Sequence, residues 1–180
     1  KDAFATAAAE MARFDALEKK AGYHDELAET LTIAADHFLA YRQSTGLMTV
    51  LAGLPWFTDW GRDTMIALTG LTLSTGRYQD ARDILTTFAR YVHHGMVPNM
   101  FPDEGTAPLY NTADASMWYF YAVGKYLDYT GTPEDYAFVQ ETIYPKLKEI
   151  IAAYEHGTDF SIYMEEDGLI HAGSGLDQVT

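Results

Sequence analysis

The chain has 180 residues, of which 12 are Lys or Arg and 26 are Asp or Glu, for a formal charge of −14. Apolar residues make up 48%, enough for a sizeable core at the length of one ordinary domain. So acidic a surface repels phosphate backbones and anionic lipid, which argues against nucleic acid or a membrane as partner. The absence of cysteine excludes disulfides, thiolate metal sites and a Cys nucleophile, and agrees with a cytoplasmic, reducing setting.

In chain order, Ala8, Met11, Ala12 and Leu17 suggest a first helix. Leu27, Leu31, Ala34, Ala35, Phe38 and Tyr41 recur at three- and four-residue spacing and predict an amphipathic helix from about His24 to Gln43. The charge-dense segment Asp15 to Glu29 reads as a solvated face. Leu47 to Leu51 forms one short strand. After Asp63, Met65, Ile66, Leu68, Leu71 and Leu73 predict a buried helix ending at Thr75-Gly76. The next runs from about Tyr78 to His93, with Gly95 as its stop. A further helix begins near Thr112, carries Trp118, Tyr119, Ala122, Tyr126 and Leu127, and ends at Thr130-Gly131; Tyr119, Tyr121, Tyr126 and Tyr129 are read as core or interhelical. The last starts with Thr132 as cap and Pro133 in the first turn, reaches about His156, and is kinked or divided by Pro145. A hairpin pairs Ser161–Met164 with Gly168–Ile170.

The longest stretch without a charge, Gln43 to Thr58, is 16 residues with Pro55 and two glycines, too short and polar to span a bilayer. Asp2 and Glu10 interrupt the alanine-rich start, which has no apolar signal region. The chain begins at Lys1 and reads as an internal piece of a longer one.

The joints are of two kinds. Ser74-Thr75-Gly76 and Thr130-Gly131 are tight helix-to-helix turns whose glycines lie 55 residues apart. The joints Ser44 to Gly61, Gly95 to Asn111 and Gly157 to Thr180 are long. In an up-down helical array, alternate joints fall on opposite ends, so the long loops collect on one edge, where such a scaffold carries a site.

Those loops are rich in chemistry. The first packs Trp56, Asp59, Trp60, Arg62 and Asp63 into eight residues; the second holds Asn99, Asn111 and Asp114; the third runs from Gly173 to Thr180. Aromatic faces with carboxylates, amides and an Arg suit a neutral polyhydroxylated ligand, because sugar rings present C–H faces for stacking and hydroxyls for bidentate groups. Each residue also has a plain alternative: the Trp as packing, Asp59 or Asp63 as a helix cap. Arg62 and Asp63 are adjacent and cannot form an i,i+4 pair. His93 and His94 are read as partners of a helix C-terminus on different faces, so no metal site is expected.

The string Pro55-Trp56-Phe57-Thr58-Asp59-Trp60-Gly61-Arg62-Asp63-Thr64 is followed by Val97-Pro98-Asn99, Phe101-Pro102-Asp103, Tyr110-Asn111-Thr112-Ala113-Asp114 and Asp167-Gly168-Leu169. Together these resemble the amylo-α-1,6-glucosidase domain of glycogen debranching enzymes, over about Thr49 to Thr180. The resemblance implies an all-α fold, an (α/α)6 barrel related to glucoamylases. On it, residues 1–180 form the N-terminal portion of a catalytic domain that continues past Thr180, about half a barrel, covered by the remainder of the same barrel. It also implies that Arg62 and Asp63 hold the glucose of the −1 subsite, that Trp56 and Trp60 form apolar walls, and that Asp59, Asn111 and Asp114 line the same mouth. The substrate class is an α-glucan, glycogen or limit dextrin, with no cofactor. In the family a Trp-Met-Asp supplying the general acid follows a Gly-Val-Gln-Leu-Thr. Here Gly175-Leu176-Asp177-Gln178-Val179-Thr180 ends the chain, so no catalytic carboxylate is expected within it, nor activity from it alone. Two other readings stay open: another (α/α)6 glycosidase, glucoamylase- or trehalase-like, and a non-catalytic carbohydrate-binding module.

Overall fold

A computed structural model describes residues 2–102 and 107–173. The protein is mainly helical. Helix α1 (Ala3–Ala21) starts where the Asp2 carboxylate accepts from the Phe4 N–H and stops at Gly22, which takes the left-handed φ of 74° that ends a helix cleanly. Helix α2 (Glu26–Asp36) is capped by Asp25, whose side chain accepts from the Leu27 and Ala28 N–H groups.

Here the helix expected to reach Gln43 is corrected: α2 stops at Asp36, and Leu39–Arg42 is a strand, β1, antiparallel to β2 (Leu47–Val50). The register pairs Leu39 with Val50 and Arg42 with Leu47. Gly46, at φ 69°, closes the connecting turn, so Phe38 and Tyr41 fell on the helical period by coincidence. Asp36 sits at the break, held by Arg13 of α1 and by Arg77, which joins the first helices to the body of the fold.

Helix α3 (Gly61–Leu68) widens into a π-helical turn over Thr69–Leu73 before the Ser74–Gly76 turn, and α4 follows (Tyr78–Arg90). Then come α5 (Ala115–Tyr129) and α6 (Pro133–Phe138), the latter opened by a reciprocal capping box between Thr132 and Asp135. A second π-turn, Val139–Ile143, separates α6 from α7 (Tyr144–His156), so the chain divides just before Pro145, which has no N–H to give. Strands β3 (Ile162–Met164) and β4 (Ile170–Ala172) form the expected hairpin, shifted by a residue or two.

The core lies between α3, α4 and α5, closed by α6, α7 and β2. Met65, Leu68, Ile84, Leu85, Phe88, Ile143 and Ile150 are completely covered, each contributing roughly 1.5–3 kcal/mol of hydrophobic transfer. Tyr119 and Tyr126 are buried as expected, and Tyr119 donates its hydroxyl to the Leu85 carbonyl at 2.8 Å. Tyr121 is instead exposed, while the exposed Tyr129 meets Ser74 Oγ across two turns at 3.3 Å. Among the described residues no helix is long and apolar enough to cross a membrane.

The Ser74–Gly76 and Thr130–Gly131 turns lie side by side, joined through Ser74 and Tyr129. Tyr23, after α1, donates to the Ser74 carbonyl at 3.0 Å, so the short turns meet one another. At the other end the Gly61 N–H donates to Asn99 O at 2.7 Å, and Tyr154 of α7 donates to Ala113 O at 2.7 Å.

Candidate functional site

The first long loop is a closed turn followed by a bridge to the second. Phe57 N–H donates to Gly53 O at 2.8 Å and Ala52 N–H to Thr58 O at 2.9 Å, which puts Trp56 at the tip, 85% exposed. Trp60 is half-buried, edge-on to Phe57 with ring centres 6.3 Å apart, and its backbone bridges to Met100. The two loops can approach because residue 61 is glycine. A Cβ there would stand 2.0 Å from the Pro98 carbonyl oxygen. The Gly61 N–H then spends itself on Asn99 O, inside α3's first turn.

Asp59 does not face solvent. It is fully buried; Arg42 brackets its carboxylate, with Nε at 2.8 Å and Nη2 on the other oxygen, and Thr49 Oγ1 donates at 2.9 Å. Its carbonyl is also tied, since Phe101 N–H donates to Asp59 O at 3.1 Å. Asp59 therefore nails the loop to the β1–β2 hairpin. Arg42 falls in the stretch expected as helix and Thr49 in the short strand expected over Leu47 to Leu51, so neither stood out; the Ser44-Thr45-Gly46 turn before an apolar run was the available signal for their pairing.

Arg62 and Asp63 open α3, whose N-cap position is Trp60, a residue that makes no side-chain capping bond. Neither Asp59 nor Asp63 is the cap. Arg62 Nε instead donates to both oxygens of Asp114, at 2.9 and 3.1 Å, across 52 residues. Asp114 occupies the N-cap position of α5 without capping it, and Thr112 Oγ1 donates to it at 3.1 Å. Among the described residues the two Nη groups of Arg62 have no partner, and both Arg62 and Asp114 are about one-third exposed. The α5 start is fixed from below by Tyr154, whose phenol burial pushes up, keeping it a donor to Ala113 O.

Asp63 is exposed and, about 100° round the helix from Arg62, lines a cavity of about 350 Å³ with Phe38, Val50, Leu51, Ile66 and Leu71. Asn111 is half-buried, three residues before Asp114, and has no hydrogen-bond partner among the described residues. The structure thus joins Arg62 to Asp114 on one side of α3 and gives Asp63 a separate apolar recess. Asp103 and the stretch from Ser174 to Thr180, where the third loop's motif falls, lie outside the described residues.

Residues 33–180 match the protein family described as Amylo-alpha-1,6-glucosidase. Over 122 residues the chain is 30% identical to the glycogen debranching enzyme of Saccharomyces cerevisiae; the aligned stretch is 62% of this chain and 8% of that protein. The chain therefore corresponds to a small part of this curated relative's length.

Proposed function

The chain belongs to the amylo-alpha-1,6-glucosidase family, and on that premise we propose that it is part of a cytoplasmic glycoside hydrolase releasing α-1,6-linked glucose at glycogen branch points. In this reading residues 1–180 are the N-terminal portion of an (α/α)6 barrel and supply the grip on the −1 glucose. Arg62 donates its Nη hydrogens to hydroxyls on one side of the sugar, Asp63, about 100° round α3, accepts from a hydroxyl on the side of its own recess, and Trp56 and Trp60 offer apolar faces to the ring. Asn111 and Asp114 line the same mouth, and Asp59 acts through position, by fixing the loop that carries the two Trp. Hydrolysis with inversion requires two carboxyl groups flanking the bond with a water between, supplied by other parts of the protein.

The observation that supports this reading is the orientation of Arg62. Its Nε is consumed by Asp114 at the foot of a neighbouring helix, which leaves a planar pair of donors at the edge where the long loops meet. The test is product analysis with the full-length protein. Glucose released from a branched limit dextrin, with none from trehalose, is the expected result; the reverse pattern replaces it with a trehalase-like hydrolase.

A further inference from the structure

Helix α4 ends at Arg90, so His93 and His94 are not on its surface. They lie in a tight turn closed by His93 N–H to Met96 O at 3.1 Å and Met96 N–H to His93 O at 3.0 Å. His94 takes a φ of 45°, a left-handed conformation that disfavours a residue with a Cβ. The result is that the two imidazoles stack, with ring centres 3.9 Å apart and planes 22° from parallel. Asp159, 65 residues on, reaches the same spot from the turn between α7 and β3 and lies 2.7 Å from His94 Nδ1. The expectation of two histidines on different faces of a helix end is therefore corrected by the fold.

Both segments rest on one helix. Gly95 is pressed so close to α7 that a Cβ would stand 2.0 Å from that of Ala153, and Asp159 leaves from the same helix's end. The donor atoms of His93, His94 and Asp159 all lie within 4.8 Å of one another, and the three side chains are exposed. We propose that His93, His94 and Asp159 form a binding site for a late first-row divalent cation, zinc foremost, which clips the α4–α5 loop to the α7–β3 turn.

Two imidazoles and one carboxylate are the donor set of zinc rather than of calcium or magnesium, which take oxygen ligands throughout. Tetrahedral ligands at 2.0–2.1 Å stand about 3.4 Å apart, so donor atoms already within 4.8 Å of one another need draw in by little more than about 1 Å, with water as the fourth ligand. The clipped loop is the one that carries Asn99, Asn111 and Asp114.

The molecule contains its own control. His171 Nδ1 lies 2.9 Å from Glu165 Oε1, the same His–carboxylate contact without a second imidazole in the group. The experiment is calorimetric titration of metal-free full-length protein with zinc chloride, backed by the visible spectrum of the Co²⁺ form. The expected result is one saturable site that His93→Ala and Asp159→Asn each weaken by about tenfold or more, while His171→Ala leaves it unchanged. His94→Asn, which tolerates the left-handed backbone, is the variant that keeps the turn folded and also loses the site. No saturable binding, or zinc affinity unchanged in a folded His93→Ala/His94→Asn protein, overturns the proposal.

Discussion

One nitrogen of Arg62, Nε, stands 2.9 and 3.1 Å from the two carboxylate oxygens of Asp114. The contact joins the first turn of α3 to the start of α5 and fixes the plane of the guanidinium. With side chains 35% and 38% exposed, the pair adds little to stability, since surface ion pairs are worth about 0–1 kcal/mol. Its consequence is aim: the remaining donors of Arg62 point where Asp114 leaves them.

Asp114→Ala in the full-length protein is therefore expected to cost activity rather than fold. We expect kcat/KM on limit dextrin to drop about tenfold or more, with a shift in Tm of at most about 2–4 °C. Steady-state kinetics alongside scanning calorimetry checks it. A large fall in Tm with unchanged kinetics would make the pair a structural tie.

Gly61 marks the closest approach of the two loops, and Gly61→Ala has no room: the new methyl would meet the Pro98 carbonyl oxygen at 2.0 Å. Overpacking of this kind costs roughly 1–3 kcal/mol. Gly70, in the π-turn after α3, has nothing within 4 Å of a built Cβ. Gly70→Ala is expected to be neutral or stabilising, because Ala loses less backbone freedom on folding. Chemical unfolding of the two variants side by side tests the contrast.

Acid should loosen the first two helices. Burial works to raise the Asp36 carboxyl, but hydrogen bonds from Arg13 and Arg77 outweigh it and hold the group below the ordinary carboxylate value. The native state then binds this proton more weakly than the unfolded chain. The stabilisation is complete above the unfolded value, near pH 3.9, and is lost as pH falls through the lower native value. Asp36→Asn is expected to be less stable at neutral pH and to show a flatter loss below about pH 4. Urea unfolding across pH measures this; parallel curves for the two proteins would contradict it.

Much of the helical framework was legible because its faces repeat at helical spacing. Ala81, Ile84, Leu85 and Phe88 of α4 all proved buried, and Thr132-Pro133 did open a helix. The β1 strand was not legible, since Phe38 and Tyr41 continue the α2 period by chance while the break depends on distant Arg13 and Arg77 holding Asp36. In the candidate site, clustering of Trp, Asp and Arg before a helix was visible in the string itself. Which of them pair was not. Asp59 took Arg42 from a misread strand, and Arg62 took Asp114, which is 52 residues away. His93, His94 and Asp159 escaped for the same reason, because a turn after α4 and a turn after α7 meet only in the folded chain.

The measurement that tests the proposed grip most directly is Asp63→Asn in the full-length protein, with Tm and kcat/KM read on the same preparation. Asp63 is exposed, lines its own recess, and is not the cap of α3, a place held by Trp60. Replacing its carboxylate by an amide costs the helix start only a first-turn charge–dipole contribution of about 0.3–1 kcal/mol and removes a charged acceptor for sugar hydroxyls. If the grip tightens as the ring distorts toward its oxocarbenium-like transition state, kcat falls along with affinity. The expected result is a Tm nearly unchanged and kcat/KM on limit dextrin reduced at least about tenfold, equivalent to about 1.4 kcal/mol. Wild-type kinetics in a folded Asp63→Asn protein would contradict it.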